Sequence, residues 1–127
     1  MDLTVEPGSA VPPYEQIRAR IAELAGAAEL PAGTRLPTVR QLAGELGLAV
    51  NTVARAYREL ETAGLVETRG RNGTFVTARA ARVPAEAERL AATYVEATRR
   101  LGLSPDKALG LVQAALANPA NPGYAGS

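Results

Sequence analysis

The chain has 127 residues, of which 46% are apolar, and its 14 Lys and Arg nearly balance its 13 Asp and Glu. These values are typical of one small globular domain, or of one domain with a helical appendage. Cys and His are both absent, which excludes disulfides, Cys-type and His-based metal sites, and a nucleophile–base triad. Apolar runs are too short to span a membrane, and the first residues do not resemble a secretory signal. We therefore expect a cytoplasmic protein that is not an enzyme and needs no metal or other cofactor.

The first half of the chain predicts three helices followed by a β-hairpin. Pro13 opens the first helix, and Thr38 with Gln41 forms a capping box at the start of the second. Gly47 ends the second helix and Gly64 ends the third. The predicted elements are helices over about 13–28, 39–46 and 50–63, a short strand at 34–36, and hairpin strands at 65–69 and 74–77. The apolar residues at helical spacing in the first helix are Tyr14, Ile17, Ile21, Leu24 and Ala28.

A short turn at Gly47 joins the second and third helices, which indicates a helix-turn-helix with the third helix as its recognition helix. The inward face of that helix carries Val53, Ala56, Tyr57 and Leu60, and the outward face carries Asn51, Arg55, Arg58 and Thr62. Groove contacts concentrate near the N-terminal end of a recognition helix. We therefore expect Asn51, Ala54 and Arg55 to read bases and Arg58 to contact a phosphate. The alternative is that this polar face is only the solvated side of a surface helix.

The hairpin turn is rich in arginine and glycine, as expected for a wing that follows a helix-turn-helix. Arg69, Arg71, Asn72 and Gly73 form its tip. Glycine allows a close approach to another backbone, and arginine suits the narrow minor groove or its flanking phosphates. Alone, such a tip would be read as a plain surface turn.

Charge near the second helix also points to a phosphate. Arg40 lies in the first turn, where a positive side chain is unfavourable unless an anion is near, and Thr38 would direct helix-start N–H groups to the same anion. Pairing of Arg40 with Glu45 is the alternative. Between residues 35 and 75 there are six Arg and four acidic residues, a net charge of +2, so binding would depend on local geometry. We expect the acidic side chains of Glu59, Glu61 and Glu67 to point away from DNA.

Residues 84–117 predict two amphipathic helices, about 84–101 and, after an N-cap at Ser104, up to Ala117. A two-helix hairpin cannot bury both of its apolar stripes, which favours a dimer surface. The expected dimerisation residues are Leu90, Tyr94, Leu101, Leu109, Val112 and Leu116. The alternative is that the hairpin packs onto its own DNA-binding domain. Alanine-rich helices leave little room for an effector cavity of ~300 Å³, and whether a small-molecule effector exists is left open.

Several stretches of the chain resemble the GntR family of bacterial transcription regulators. They are Leu30–Ala43, Asn51–Glu61, Gly64–Val66, Gly73–Val76, and the entry to the first helix at Val11–Ile17. The short tail of two helices resembles the YtrA-like subfamily in particular. The resemblance implies DNA contacts by Arg40, Asn51, Thr52, Arg55, Arg69, Arg71 and Gly73. The chain departs from the family pattern at Ala49-Val50, where a polar cap is common, and at Ala54, where many relatives carry Arg.

Together, the residues and the resemblance predict a mainly helical winged helix-turn-helix with a β-hairpin wing and a C-terminal helical hairpin. The expected organisation is a DNA-binding domain at 1–78, a dimerisation segment at 79–118, and a disordered tail at 119–127. The expected function is that of a homodimeric repressor that binds an inverted-repeat operator. The alternative is a protein-interaction adapter that uses the winged helix as a docking surface.

Overall fold

The computed structural model describes residues 1–118, so the predicted tail at 119–127 lies outside the described residues. Contacts divide the chain into two units, Met1–Pro84 and the residues from Ala85 onward. The helices are α1 (Pro13–Gly26), α2 (Val39–Leu46), α3 (Val50–Thr62), α4 (Val83–Arg100) and α5 (Pro105–Ala117), and the strands are β1 (Val66–Thr68) and β2 (Thr74–Val76). Short 3-10 helices cover Gly70–Asn72 and Ala78–Arg82.

Helix α1 supplies one wall of the core of the first unit. Ile17, Ile21 and Leu24 are buried, as their spacing predicts. The expectation that Ala28 continues this stripe is wrong. The helix ends at Gly26, and Ala28 is exposed with φ 62°, a left-handed conformation that ends helical hydrogen bonding.

The helix-turn-helix forms as the sequence predicts. Helix α2 begins with the capping box, and Gly47 ends it in the left-handed conformation with φ 68° and ψ 33°. Helix α3 ends at Thr62, and Ala63 rather than Gly64 is its cap residue. Its predicted inward residues are all buried, namely Val53, Ala56, Tyr57 and Leu60. They join the buried residues of α1 and α2 in one apolar core, which fixes the opposite face of α3 outward.

The hairpin is antiparallel, with Val66 opposite Val76 and Glu67 opposite Phe75. The segment before Pro37 adds to its second strand, as the predicted short strand at 34–36 suggested. Arg35 bridges to Phe75, and the amide of Leu36 donates to the carbonyl of Thr74 at 2.8 Å. The wing, defined here as residues 65–77, is therefore braced along β2 by a third extended segment.

A short helical segment follows the wing. Residues 78–82 form a 3-10 helix, and Ala80 is buried in the core of the first unit. The first unit accordingly continues to Pro84. The division into a DNA-binding domain at 1–78 and a dimerisation segment at 79–118 stays a prediction.

The second unit is a helical hairpin of α4 and α5. Tyr94 donates its hydroxyl to the carbonyl of Ala108 at 2.8 Å, and Ser104 caps α5 through the amide of Lys107. Of the described residues of this unit only Thr98 is buried, and Leu101 and Leu116 are more than 70% exposed. In residues 1–118 no helix is long and apolar enough to cross a membrane.

Candidate nucleic-acid interface

The start of α2 carries an exposed arginine, Arg40, beside a closed capping box. Thr38 Oγ1 accepts from the amide of Gln41 at 3.1 Å, and Gln41 Oε1 accepts from the amide of Thr38 at 3.0 Å. Arg40 is exposed, and no carboxylate of residues 1–118 pairs with it, Glu45 included. The capping box already uses two of the amides, so Val39 and Arg40 keep the backbone N–H groups that could meet an anion.

A buried tyrosine fixes α3 against the start of α2. The Tyr57 hydroxyl donates to the carbonyl of Pro37 at 2.7 Å. Burial, with a smaller effect from the charge of Glu45, raises the pKa of Tyr57, so it stays a neutral donor. This hydrogen bond fixes α3 relative to the start of α2, where Arg40 lies.

The outward face of α3 is polar and open. Asn51 and Arg58 are exposed, and their side chains make no hydrogen bond or ion pair with the described part of the chain, while Thr52 is half-buried. Ala49 precedes the helix as its cap residue and supplies no side-chain bond. Because Asn51 does not cap the helix either, its amide remains available to a ligand.

Arg55 is held by its own protein, which the sequence did not indicate. Its guanidinium lies over the Tyr14 ring, 3.6 Å from the ring centre, and its Nε lies 3.3 Å from Glu59 Oε2. The side chain is still 53% exposed. Arg55 therefore leans from α3 toward the beginning of α1, with part of its charge satisfied inside the unit.

The wing tip presents one held arginine and one free arginine. Arg69 lies over the Phe75 ring, 4.4 Å from its centre, and pairs with Glu67 at 2.6 Å. Arg71 and Asn72 are exposed in the 3-10 turn, and the side chain of neither has a hydrogen-bond or ion-pair partner in the described residues, while the amide of Asn72 donates to the carbonyl of Arg69 at 3.0 Å. Arg71 is thus the tip's available cation.

Gly73 and Arg35 form a contact that the sequence analysis missed. A Cβ on Gly73 would lie 2.7 Å from Arg35 Nε, so the arginine occupies the space that the glycine leaves open. Arg35 is exposed and extends the basic surface of the wing. The signal was present, because a strand at 34–36 paired with β2 places residue 35 beside the wing.

The three acidic residues that we expect to point away from DNA bind neighbouring groups of the first unit. Glu59 pairs with Arg55, and Glu67 pairs with Arg69. Glu61 accepts from the amide of Thr68 at 3.2 Å and so links α3 to β1. These acidic residues therefore orient neighbouring arginines and the wing.

The family model described as "Bacterial regulatory proteins, gntR family" matches residues 3–76, more than half of the chain. The chain belongs to the GntR family. It is therefore a transcriptional regulator with a GntR-type DNA-binding domain, and the predicted family and winged helix-turn-helix fold class are confirmed.

Two transcriptional regulators from other organisms are similar to this chain in sequence. The HTH-type transcriptional regulator Rv1152 of Mycobacterium tuberculosis is 50% identical over 107 residues, which cover 84% of this chain and 88% of that protein. The HTH-type transcriptional repressor YtrA of Bacillus subtilis is 39% identical over 75 residues, which cover 59% of this chain and 58% of that protein.

Solved structures agree with this assignment. YtrA from Sulfolobus acidocaldarius, a GntR-family transcription factor, is 31% identical with a TM-score of 0.58, over 72% of this chain and 96% of that chain. The DNA-binding domain of AraR in complex with operator ORX1 is 26% identical with a TM-score of 0.52, over 59% of this chain and 93% of that chain. A GntR-type domain with this fold thus binds operator DNA in that protein.

Proposed function

We propose that this protein is a homodimeric transcriptional repressor that binds an inverted-repeat operator. Helix α3 would lie in the major groove, and the wing would contact the adjacent minor groove or its phosphates. The observation that carries the proposal is a set of three exposed arginines without carboxylate partners in residues 1–118, one on each of three neighbouring elements. They are Arg40 at the start of α2, Arg58 on α3 and Arg71 at the wing tip.

The polar residues between these arginines give the proposed surface its reading groups. The Asn51 amide can accept from and donate to one adenine edge, and the Thr52 hydroxyl can serve either a base or a phosphate. Thr38 and Gly73 shape the backbone beside Arg40 and Arg71, and Asn72 completes the wing tip. Arg55 and Arg69, each stacked on a ring, would approach DNA in fixed orientations.

The apolar surface of the second unit supports the dimer. The proposed dimerisation residues are Leu90, Tyr94, Leu101, Leu109, Val112 and Leu116, and all but Tyr94 are exposed. An open groove of about 520 Å³ runs between α4 and α5. We expected little room for a cavity of ~300 Å³ between alanine-rich helices, and that expectation is wrong for this groove. Small side chains such as Ala91 and Ala108 line the groove without filling it. An apolar surface of this kind favours a protein partner, here a second copy.

Two copies joined in this way would read two half-sites. Half-sites about one DNA turn apart, ~34 Å, form an inverted repeat when the dimer has two-fold symmetry. The relative YtrA of Bacillus subtilis is named as a transcriptional repressor, which supports repression rather than activation by this protein.

Salt-dependent binding tests the DNA interface. A duplex is selected from a random library at about 150 mM salt, and affinity is then followed by fluorescence anisotropy against salt concentration. The slope of log K against log salt is negative, and removal of one phosphate contact makes it about 0.9 less steep. A dimer loses two such contacts, so Arg58→Ala or Arg71→Ala should make the slope less steep by nearly two.

Arg82→Ala is the matched control for these variants. Arg82 is exposed, and its segment contacts Gly26 through Ala80 and Pro84. Gly26 is the last residue of α1, and Tyr14 lies at the other end of that helix, about 20 Å away. Its slope should equal that of the wild type. Equal slopes for all variants would contradict the interface, and the absence of any salt-dependent duplex binding would favour the adapter.

A charge on α5 tests the dimer. Leu109→Glu should convert the dimer to monomer in sedimentation equilibrium, because a buried carboxylate without a partner is costly. Ala114→Glu, about 140° around the helix from residue 109, places the same charge on the other side and should remain dimeric. A dimeric Leu109→Glu variant would contradict this surface.

A further inference from the structure

The first turn of α3 presents an apolar side chain on the surface of a polar helix. Val50 is 45% exposed. Ala54 follows four residues later on the same stripe and is half-buried. Neither side chain can donate or accept a hydrogen bond, although both lie at the N-terminal end, where a recognition helix contacts base edges.

Contacts of α3 with its neighbours show which flank these residues occupy. Glu61 lies on the same stripe, seven residues after Ala54, and it binds the amide of Thr68 in β1. The Val50 stripe is therefore the wing-side flank of α3. Arg55 lies on the outward face, about 140° around the helix from Val50, and its contacts with Tyr14 and Glu59 hold it toward α1.

This arrangement changes which groups meet the bases. With Arg55 drawn toward α1, the first two turns of α3 offer an apolar group at Val50, an amide at Asn51 and an apolar group at Ala54. In the major groove, apolar side chains match the 5-methyl group of thymine, and Asn matches adenine. Arg55 is the one arginine in these two turns, and its contacts with Tyr14 and Glu59 hold it away from the Val50 stripe.

We propose that Val50 and Ala54 are specificity-determining residues that contact thymine methyl groups, so that the half-site core is rich in A·T pairs. The proposal rests on the proposed function, because it assumes that α3 lies in the major groove.

Replacing single thymines by deoxyuridine tests this contact, because uracil lacks only the methyl group. In the selected duplex, removal of the methyl at one or two positions of each half-site should weaken binding of the wild type roughly fourfold per methyl, about 0.8 kcal/mol. With Val50→Ala, one of those positions should become insensitive to the replacement while the others stay sensitive. Ala54→Ser should do the same at a second position.

Val11→Ala is the matched control, since Val11 is 44% exposed and lies before α1. It should keep every sensitivity. Folding is checked by circular dichroism, and Val50→Ala introduces a better helix former at an exposed position.

A wild type insensitive to every replacement, or a half-site core without thymine, overturns the inference. Sensitivities that persist in both α3 variants also overturn it, because the methyl would then act through the shape of the DNA. If no duplex is recovered by selection, the proposed function itself fails.

Discussion

Gly73→Ala places a side chain at the base of the wing tip, where the backbone has a conformation that residues other than glycine rarely adopt. Gly73 has φ 113° and ψ −165°, a region that is essentially restricted to glycine. Holding an alanine there costs on the order of 1–3 kcal/mol. Its Cβ would also lie 2.7 Å from Arg35 Nε, but that contact can relax because the arginine side chain is flexible. We expect the free energy of unfolding to fall by about 2 kcal/mol, mostly from the backbone.

Urea and thermal unfolding of the full chain measure this cost. For a unit of this size, a loss of 2 kcal/mol lowers the Tm by roughly 8–16 °C. Gly44→Ala is the control, because Gly44 lies inside α2 with open space at its Cβ position, and alanine there should stabilise by about 0.5–1 kcal/mol. The double variant Gly73→Ala/Arg35→Ala should keep most of the loss. A Gly73→Ala protein within about 0.5 kcal/mol of the wild type would refute the strain argument.

Three further substitutions test individual contacts by urea titration. Thr38→Ala removes the capping box and should lower the free energy of unfolding by about 1 kcal/mol; unchanged stability would contradict the cap. Tyr57→Phe leaves the carbonyl of Pro37 without its donor and should cost a similar ~1 kcal/mol, and a neutral result would count against that hydrogen bond. The hydrogen bond from Arg18 lowers the pKa of Glu15, so this carboxylate stabilises the fold above its ordinary pKa of 4.5 and loses that effect as the pH falls through the lowered value. Glu15→Gln should therefore be less stable by under ~1 kcal/mol at about pH 6 and equal to the wild type in acid, and a difference that persists in acid would contradict the linkage.

Local rules account for most of the fold of the first unit. The capping box at Thr38, the left-handed Gly47 and the helical spacing of the buried residues of α3 are each decided by a few neighbouring residues, and the structure contains all of them. One exception is Ala28, where the chain adopts a left-handed conformation without a glycine to mark it.

The parts of the candidate site that the sequence did not predict are contacts between distant residues. Arg55 stacks on Tyr14 only because α1 packs against α3, and Arg35 reaches Gly73 only because its segment adds to β2. Residue types and periodicity place a side chain on a face of its own helix or strand. They do not determine which element packs beside that face.

Because the sequence contains no cysteine, one introduced thiol gives a unique site for an iron–EDTA reagent that cleaves nearby DNA. Exposed positions are available before α3 at Ala49→Cys, at the wing tip at Asn72→Cys, and in the segment beside Gly26 at Ala81→Cys. If α3 and the wing bind duplex DNA, the label at 49 should cleave within each half-site, the label at 72 should cleave at the neighbouring minor groove, and the label at 81 should leave the operator intact. Strong cleavage from 81, or none from 49 and 72 on a bound operator, would contradict the interface.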